Sequence, residues 1–513
     1  MITFKRYLCI VSCLLLPAGV PLLSRAQSTL FDDTYVHEIR LELPVPGWYD
    51  TLCQYYEDGM GAPKKKVLPA KVSIDGNLLS DSVAMRFKGY YSFSAFPVHK
   101  KPIKLKFSKF NDNQHYELTE KLNLNNFAGD PSFMREFCAY NFYHFIGIEA
   151  PRIAFTRLYI NDEYFGCYAI LEEPEDKYFL KAAFGEGLGN LFEPDEASDL
   201  SWKGADPAAY DDLKLQTKKN PQAWNKLITW LNLCNNYYGA DFAEKLFEEF
   251  NVEKYLTVLA TETLFDNWDT YAGNARNFYL YDDPHSGKIE WIPWDYNLCL
   301  WNKSQPLLPE GLNGHTQILI QRIQQNRYLT RLYLKTVCKV AQKAKDFVIE
   351  DRVQQCYNVI RQAVLEDTMK FYSNAQFEEN IWAGDTMLLF WEGELRNMYL
   401  PGVVTHFHQR AEDLVRMAAE MDCDCSDTAN DEALLSSIVY PNPVHDILTI
   451  CFEDQIEKIN IALTSAEGKM VRNEQRAVIG GVVQINTKAL SPGMYMLNIT
   501  SGRQFNQIRI VKY

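Results

Sequence analysis

The sequence predicts an α+β protein, in which a long mixed body precedes a small all-β sandwich. Three observations support this prediction. Short runs that alternate apolar and polar residues fill the first third of the body, as half-buried strands do. Helical periodicity then dominates 221–421. An acidic, small-residue stretch at 422–432 follows, and alternating segments continue from there to the C-terminus.

The first 26 residues have the composition of a secretory signal peptide. Lys5 and Arg6 precede an apolar run over 7–20, and Ser24-Arg25-Ala26 supplies small residues for cleavage after Ala26. That run is too short for a comfortable membrane span, and no later segment approaches the ~20 apolar residues that a span needs. We therefore expect an exported protein without a transmembrane segment.

The charge balance excludes one large class of partners. The formal net charge is −14, and it becomes more negative once the basic leader is removed. Binding to nucleic acid or to an anionic membrane needs clustered Lys and Arg. Lys64-Lys65-Lys66 is the one basic cluster, and we interpret it as a solvated loop without a function. The cysteines are widely spread, and those at helical core spacing, such as Cys356, are expected to be buried thiols.

The elements of the body follow in a definite order. The patterns predict strands at His37–Leu43, Ala70–Gly76, Val83–Phe87 and Pro102–Phe107, a helix at Pro131–Phe145, strands within 152–171 and a strand pair within 276–294. Asp130 is the expected N-cap of the helix, with Pro131 in its first turn. A strand-rich part with one helix, followed by a helical part, is the order of elements in protein kinases.

The C-terminal segment predicts about seven short strands. Its alternating apolar positions are Ile459, Ile461, Leu463, Val483, Ile485, Tyr495, Leu497, Ile499, Ile508 and Ile510. Its motifs are Tyr440-Pro-Asn-Pro443, Ala466-Glu-Gly-Lys469, Leu490-Ser-Pro-Gly-Met-Tyr495 and Ile510-Val-Lys-Tyr513. In that order they resemble the type IX secretion system sorting domain of Bacteroidota over 437–513, with 422–436 as a linker. The resemblance implies recognition by the type IX machinery and delivery through the periplasm and outer membrane to the medium or cell surface. The alternative is an accessory sandwich that binds carbohydrate or protein.

A short polar pattern in the body carries the candidate chemistry. Asp269 precedes Asn274 by five positions, and Asp295 follows at the end of an apolar strand. Protein kinases use this order for a catalytic Asp, a metal-ligating Asn and a metal-ligating Asp. By itself the pattern is short enough to arise by chance, and Asp266 or Asp269 would then be a cap or turn residue.

The surrounding motifs make the pattern more specific. They are Val83–Ser92, Lys100–Phe107, Leu122–Asn126 with Asp130 and Arg135, Tyr159–Tyr168 with Glu172-Glu173, the segment around Asp269, and Ile292–Asp295. Together they resemble the CotH kinase family over the body, 27–421. The resemblance implies an atypical kinase-like, two-lobed fold that binds ATP with Mg²⁺ (or Mn²⁺) and phosphorylates a protein substrate.

The resemblance and the chemistry of phosphoryl transfer together assign roles. Asp269 is the expected catalytic residue, and it would accept the proton of the acceptor hydroxyl. Asp295 is the expected metal ligand, assisted by Asn274, Asn277 and Asn297. The expected nucleotide-binding residues are Arg86, Lys101, Lys104 and Glu172. The face of the strand on which each side chain lies does not decide whether Lys101 or Lys104 binds the phosphates.

One position departs from the family pattern. The family usually has Asp-x-Asp where this chain has Asp295-Tyr296-Asn297. Asn297 offers a carbonyl oxygen but no charge, so weaker Mg²⁺ binding, a different metal and lost activity remain open. The alternative function is therefore a catalytically inactive kinase-fold surface module that binds protein or glycan.

Other catalytic classes have less support. The motifs Gly-x-Ser-x-Gly and His-Glu-x-x-His do not occur, which disfavours a serine hydrolase and a zincin. His406 and His408 lack a third ligand nearby and are expected to be packed or capped. Glu172 and Glu173 could suggest a glycosidase pair, but adjacent strand residues point to opposite faces.

Overall fold

The computed structural model describes most of the chain after residue 28. The described residues are 29–59, 65–94, 99–185, 188–217, 220, 222–239, 241–309, 311, 314–391, 394–425, 437–452, 456–465, 469–501 and 504–513. The predicted signal peptide and most of the predicted linker lie outside them. The chain divides into two compact units, Met1–Leu414 and Val415–Tyr513. None of the helices in the described part is long and apolar enough to cross a membrane.

The first unit begins with a closed sheet. Its strands are β1 Val36–Glu42, β2 Leu68–Ile74, β3 Asn77–Leu78, β4 Val83–Phe87, β5 Ile103–Lys106, β6 Lys121–Asn125, β7 Ile153–Ile160 and β8 Glu163–Glu172. They pair in the order β1-β7-β8-β6-β5-β4-β2-β3, and β1 also pairs with β2. The second pairing of β1 closes seven strands into a barrel, with β3 as an addition to β2. The β1–β7 pair is parallel, whereas the other pairs are antiparallel.

The barrel has an apolar interior, and its outer face carries polar side chains along β4, β5 and β6. The interior is filled by alternating side chains, which include Ile39, Leu41, Val72, Ile74, Met85, Leu105, Leu122, Leu124 and Ile170. Because strand side chains alternate between faces, the residues between them point outward. Arg86 pairs with Lys104, and Lys104 pairs with Asn123, so these three lie side by side on neighbouring strands. This outer row is the barrel's contribution to the candidate site.

Helices and a second sheet complete the first unit. The helices are α1 Trp48–Gly59, α2 Tyr91–Ser94, α3 Arg135–Phe145, α4 Lys177–Phe184, α5 Asn225–Asn236, α6 Phe242–Glu249, α7 Val252–Leu264, α8 Tyr271–Asn274, α9 Ile318–Gln325, α10 Arg327–Asp346, α11 Ile349–Glu366, α12 Asn374–Asn380 and α13 Val403–Glu420. The second sheet has the order β10-β9-β11-β12, built from β9 Asn190–Pro194, β10 Leu213–Leu215, β11 Phe278–Asp282 and β12 Ile289–Pro293. A separate hairpin joins β13 Asp385–Trp391 to β14 Glu394–Leu400.

Two predictions for the body need correction. The helix predicted at Pro131–Phe145 begins only at Arg135, because Asp130 caps a turn first: its carboxylate accepts the backbone N–H groups of Ser132 (3.0 Å) and Arg135 (2.8 Å). The region expected to be mainly helical also contains the β13–β14 hairpin. Met387 and Leu389 of that hairpin are buried at a spacing of two, which is the strand period.

The second unit contains the predicted all-β segment. Its strands are β15 Ser437–Tyr440, β16 Ile447–Phe452, β17 Lys458–Ser465, β18 Met470–Ala477, β19 Val482–Asn486, β20 Gly493–Ser501 and β21 Gln504–Lys512. They form two sheets, β15-β16-β19 and β18-β17-β20-β21. Alternating residues of both sheets share one core, including Leu448, Ile461, Ile485, Leu497 and Ile510. The predicted all-β character of this segment is confirmed.

Candidate active site

The outer face of the barrel meets the second sheet at Glu173, directly after β8. The Glu173 carboxylate accepts hydrogen bonds from Asn123 Nδ2 on β6 (2.9 Å) and from the Tyr279 hydroxyl on β11 (3.4 Å). The Tyr279 hydroxyl also lies 3.1 Å from Glu193 Oε1 on β9. Glu173 thus connects both sheets, and the candidate site is built around this junction.

Lys104 is held by two carboxylates at the junction. Its Nζ lies 2.6 Å from Glu173 Oε2 and 3.4 Å from Glu175 Oε1, and Lys121 approaches Glu175 to 3.0 Å. The Lys104 side chain is 14% exposed and that of Glu173 only 1%. Burial opposes ionisation of Glu175, but the charges of Lys104 and Lys121 outweigh it and bring the pKa of Glu175 to about 2. Glu173 and Glu175 are therefore compensated by ion pairs, whereas burial and the charge of Glu175 raise the pKa of the neighbouring Glu193 to about 8.

Asp295 lies in a different environment, two residues after β12. Its backbone N–H donates to the Tyr140 hydroxyl (3.1 Å), and its φ of 57° is in the left-handed region. Its Oδ1 is buried without a hydrogen-bond partner among the described residues. Burial raises the pKa of Asp295 to about 6, against the attraction of Lys88, and the charge of Asp269 adds to the rise.

Glu136 on α3 adds a second uncompensated carboxylate beside Asp295. It accepts a hydrogen bond from Asn125 Nδ2 at the end of β6 (2.9 Å). Burial raises the pKa of Glu136 to about 7, and the charge of Asp295 contributes to that rise. The two carboxylates therefore repel each other, and this side of the site carries more negative charge than it compensates.

Lys88 joins the two sides of the site; it lies in the matched motif Val83–Ser92 but was not singled out as a nucleotide-binding residue. Its Nζ donates to Asn125 Oδ1 (3.2 Å) and lies 5.6 Å from the Trp294 ring centroid. Burial lowers its pKa, while Glu173 and Asp295 attract its charge. A signal was present, because Lys88 follows Arg86 by two positions at the end of a strand and therefore shares its face. Glu173 and Glu136 were likewise not selected.

Asp269 is held in place by its sequence neighbours. Asn274 Nδ2 donates to its Oδ1 (2.7 Å), and Asn277 Nδ2 donates both to its backbone carbonyl (2.7 Å) and to its Oδ2 (3.2 Å). Arg276 Nε lies 3.6 Å from Oδ1. The one-turn helix α8 and the left-handed residues Ala275 (φ 57°) and Asn277 (φ 60°) produce this tight arrangement. The spacing noted in the sequence therefore serves to fix the carboxylate of Asp269.

The other predicted site residues are divided between the junction and its surroundings. Arg86 faces the carboxylates Glu175, Glu173 and Glu193. The Asn297 backbone N–H donates to the Asp295 carboxylate. By contrast, Lys101 donates to the Phe93 carbonyl (2.6 Å), and Glu172 accepts from Arg152 (2.6 and 2.9 Å). These last two side chains point to Phe93 and Arg152 rather than into the junction.

Asp266 and the two histidines have structural contacts. His406 Nε2 lies 3.0 Å from Asp266 Oδ2, whereas His408 Nε2 lies 2.6 Å from Glu350. Asp266 also accepts the backbone N–H groups of Lys303 (2.7 Å) and Gln305 (2.8 Å), which hold the loop after β12. His406 is buried as expected, whereas His408 is exposed and pairs with Glu350 at the surface.

Two clefts flank the junction. The larger has a volume of about 640 Å³ and is lined by residues that include Lys106, Lys121, Glu175, Leu180, Gln216 and Thr217. The smaller has a volume of about 190 Å³ and adjoins Arg86 and Lys88. Small-molecule sites usually measure about 300–1,000 Å³, so the larger cleft has the size of such a site.

The predicted cation site is a mixed set of carboxylate and amide oxygens. Within the described ranges, no group of three or more His, Cys, Asp or Glu side chains is arranged to hold a metal. Asp295 nevertheless offers a buried carboxylate oxygen without a hydrogen-bond partner. Asn274 and Asn277 direct their amide nitrogens to Asp269, so the opposite oxygen of each amide is the potential ligand. Hard oxygen donors of this kind fit Mg²⁺ or Mn²⁺.

Comparison with curated proteins identifies relatives of the body. The inner spore coat protein H of Bacillus subtilis is 23% identical over 317 residues, which cover 59% of this chain and 83% of that protein. The invasins CotH2 and CotH3 of Rhizopus delemar are 26% and 25% identical over 165 and 163 residues. Those two matches cover 30% of this chain and 27% of each invasin.

Two family models match the chain, and both resemblances are confirmed. A secretion system C-terminal sorting domain covers 438–513, so the chain is directed to the medium or the cell surface through the type IX system. The model described as CotH kinase protein covers 85–398, more than half of the chain. That match includes Arg86, Lys104, Asp269 and Asp295. The chain therefore belongs to the CotH kinase protein family.

Proposed function

We propose that this exported chain is a protein kinase, which transfers the γ-phosphoryl group of ATP to a protein acceptor with the help of a divalent cation. One observation carries the proposal. Lys88 is attracted both by Glu173, which forms a compensated pair with Lys104, and by Asp295, which has a buried oxygen without a hydrogen-bond partner among the described residues. Phosphoryl transfer needs both kinds of group, because phosphates must be positioned and their charge neutralised.

The nucleotide would lie along the junction. Lys104 is positioned by Glu173 and would contact the phosphates, and Arg86 and Lys88 would add positive charge. The larger cleft has the volume that a nucleoside requires and shares Glu175 and Lys121 with the ion-pair network. In this arrangement, phosphates extend from Lys104 past Lys88 toward Asp295.

The cation would be held by Asp295, with Asn274, Asn277 and Asn297 as candidate amide ligands. A bound divalent cation would supply positive charge to the phosphate oxygens. Asp295 carries a pKa of about 6 in its buried position, so most of the carboxylate is ionised at neutral pH and attracts a cation. Two further carboxylates, Glu136 and Asp269, add to the negative potential there.

Asp269 would act on the acceptor. Asn274 and Asn277 fix its carboxylate, which would orient the acceptor hydroxyl and accept its proton. The hydroxyl oxygen forms a bond to the γ-phosphorus as the bond to the β–γ bridging oxygen breaks, and ADP leaves with that oxygen. The products are a phosphorylated protein and ADP.

Transfer of label from γ-labelled ATP tests the proposal. The mature chain is incubated with a mixed protein acceptor and Mg²⁺ or Mn²⁺, and compared with Asp269→Ala, Asp295→Asn and the surface control Asp112→Asn. We expect a loss of at least about 10²-fold for the two site variants, within the range of general-base and charge-stabilising effects. Asp112 is exposed, so its substitution should leave the rate of transfer unchanged. Transfer that persists in both site variants would place the chemistry elsewhere.

A second candidate function uses the same fold without catalysis. The observation that favours it is Asn297, which stands where the family usually has an Asp and whose backbone N–H donates to Asp295. The chain would then be a surface module that binds a protein or a glycan. Absence of transfer from the wild type with both metals, together with retained folding, would support this second function.

A further inference from the structure

A cation-rich surface lies at the smaller cleft, next to Lys88. The cleft is walled by α1, by the end of β4 and by the turn after it. Its polar side chains are four cations and three tyrosines, namely Lys65, Lys66, Arg86, Lys88, Tyr55, Tyr56 and Tyr90. No Asp or Glu lines it within the described part of the chain. In a protein with a formal net charge of −14, this is a local reversal of sign.

The positive charge of the cleft is only partly compensated. Lys65 is exposed, and its pKa is lowered first by partial burial and then by the charges of Arg86 and Lys214. Lys66 pairs with Asp58 at 2.8 Å, but both side chains are substantially exposed, so the pair is weak and exchangeable. The mouth of the cleft therefore retains a positive potential that favours an incoming anion.

The tyrosines give the cleft a rigid and accessible wall. Tyr56 stacks on Phe93 with ring centroids 3.6 Å apart, and its hydroxyl donates to the Gly89 carbonyl. Lys66 Nζ lies 5.2 Å from the Tyr55 ring centroid, and Tyr90 is 77% exposed. Tyr55 and Tyr56 are partly buried, so Tyr90 is the exposed tyrosine of the cleft. Tyrosine combined with cations is typical of protein-binding surfaces, since it offers contact area and a hydroxyl donor.

The size and place of the cleft limit its occupant. At about 190 Å³ it is smaller than most small-molecule sites, whereas the larger cleft is within their range. It has room for one or two side chains rather than for a whole nucleotide. Lys88 lines the cleft and is also attracted by Asp295, so an occupant lies beside the point where the phosphoryl group would be transferred.

We propose that this cleft, with Lys65 and Lys66 at its mouth, binds Asp or Glu side chains of an acidic segment in the protein acceptor. The carboxylates would contact the lysines and the hydroxyls of Tyr55 and Tyr90, and the neighbouring Ser, Thr or Tyr of the acceptor would reach Asp269. The inference rests on the proposed kinase function and adds the class of acceptor to it.

Peptide binding to the full mature chain tests the inference without requiring catalysis. The probes are a fluorescent peptide with one serine flanked by glutamates and the same peptide with glutamines, measured by anisotropy. The test variant is Lys65→Ala with Lys66→Ala. The matched control is Lys109→Ala with Lys245→Ala, which removes one exposed lysine and one lysine in an exposed ion pair with Asp241.

We expect the glutamate peptide to bind at least ten-fold more tightly than the glutamine peptide, with an affinity that falls as salt is added. The test variant should lose at least ten-fold of that affinity, whereas the control variant should keep it. Affinity for ATP with Mg²⁺ should be the same in all three proteins. Equal binding of the two peptides, or a test variant that loses affinity for ATP instead, would overturn the inference.

The Asp295→Asn variant separates this inference from the proposed function. It should bind the glutamate peptide at least as tightly as the wild type, because Asp295 does not line the cleft and its charge opposes that of Lys88, which does. If the wild type transfers no phosphoryl group but binds the peptide through Lys65 and Lys66, only the proposed function fails. If the wild type transfers the phosphoryl group but substitution of these lysines leaves peptide binding unchanged, only the inference fails.

Discussion

The carboxylates on the two sides of Lys88 have opposite electrostatic environments. On the barrel side, Glu173 and Glu175 meet Lys104 and Lys121, and the pKa of Glu175 falls to about 2. On the other side, burial raises the pKa of Asp295 to about 6 and that of Glu136 to about 7. The charges of the first pair of carboxylates are compensated by lysines of the protein itself. The second pair carries negative charge that a bound cation would compensate. Substitutions of similar size should therefore have opposite effects on the two sides.

The largest expected effect is on the barrel side. Glu173→Gln leaves Lys104 buried without its nearest counter-charge, and removal of one partner of a buried ion pair costs about 3–5 kcal/mol. Glu175 at 3.4 Å retains part of the compensation, so we expect the lower end of that range. Urea denaturation at pH 7 measures the change in unfolding free energy. A loss below about 1 kcal/mol would mean that the pair is effectively solvated.

The opposite sign is expected for Asp295→Asn. The folded pKa of Asp295 is raised above its unfolded value, so the wild type loses stability as pH rises from about 4 to 6. The variant avoids that loss, and in the presence of a chelator it should be about 1–2 kcal/mol more stable than the wild type at pH 8. At pH 4 the difference should vanish. Destabilisation by this substitution at pH 8 would contradict the comparison.

A smaller effect is expected beneath the site, at Glu262 on α7. It accepts a hydrogen bond from Thr270 Oγ1 (3.1 Å) and one from Tyr296, residues that adjoin Asp269 and Asp295. Burial raises its pKa to about 8, so Glu262 is largely protonated at neutral pH, and stability attributable to it falls as pH rises from about 4.5 to 8. Glu262→Gln should be folded and about 1 kcal/mol more stable than the wild type at pH 9, because the two hydrogen bonds to the wild-type carboxylate offset part of the cost of burial. Thermal unfolding of both proteins across pH 6–9 measures the effect. If the stability of the wild type and of the variant changes equally with pH, the prediction is wrong.

The smallest effect is expected for an exposed ion pair of similar length. Arg361 and Glu378 lie 2.7 Å apart, close to the 2.6 Å of Lys104–Glu173, but their side chains are 47% and 35% exposed. Because exposed pairs contribute about 0–1 kcal/mol, Glu378→Gln should change the unfolding free energy by less than about 0.5 kcal/mol. Measured beside Glu173→Gln, it separates the effect of burial from that of distance.

Much of the fold followed from local patterns in the sequence. Val83–Phe87 was predicted with the observed bounds, and the alternating positions Ile461, Leu497 and Ile510 lie in the core of the all-β segment. Closure of the barrel was not predictable in this way, because it depends on β1 pairing with both β2 and β7 across long sequence separations. The β13–β14 hairpin was missed because its apolar residues lie between helical patterns.

The candidate site was predictable where sequence neighbours build it. Asp269, Asn274 and Asn277 lie within nine residues and hold one another directly. The partners that come from distant elements were not found from spacing, which is why Lys88, Glu136 and Glu173 were absent from the predicted set. Glu172 was selected and its neighbour Glu173 was not, although it is Glu173 that contacts Lys104, because neighbouring residues of an extended segment point to opposite faces. The roles assigned to Lys101 and Glu172 remain predictions, and their observed contacts with Phe93 and Arg152 make them the first to test.

Calorimetric titration with ATP tests the central claim most directly, which is that the excess negative charge at Asp295 serves a cation bound with a nucleotide. The wild type and Asp295→Asn are titrated with ATP in Mg²⁺, in Mn²⁺ and in a chelator, and thermal unfolding is recorded in parallel. Ligand at 100 times its Kd should stabilise the wild type by about 2.7 kcal/mol. We predict this stabilisation for the wild type only with a divalent cation, and its loss in Asp295→Asn. Binding of equal strength in the chelator and in the variant, or no binding with either metal, would contradict the account.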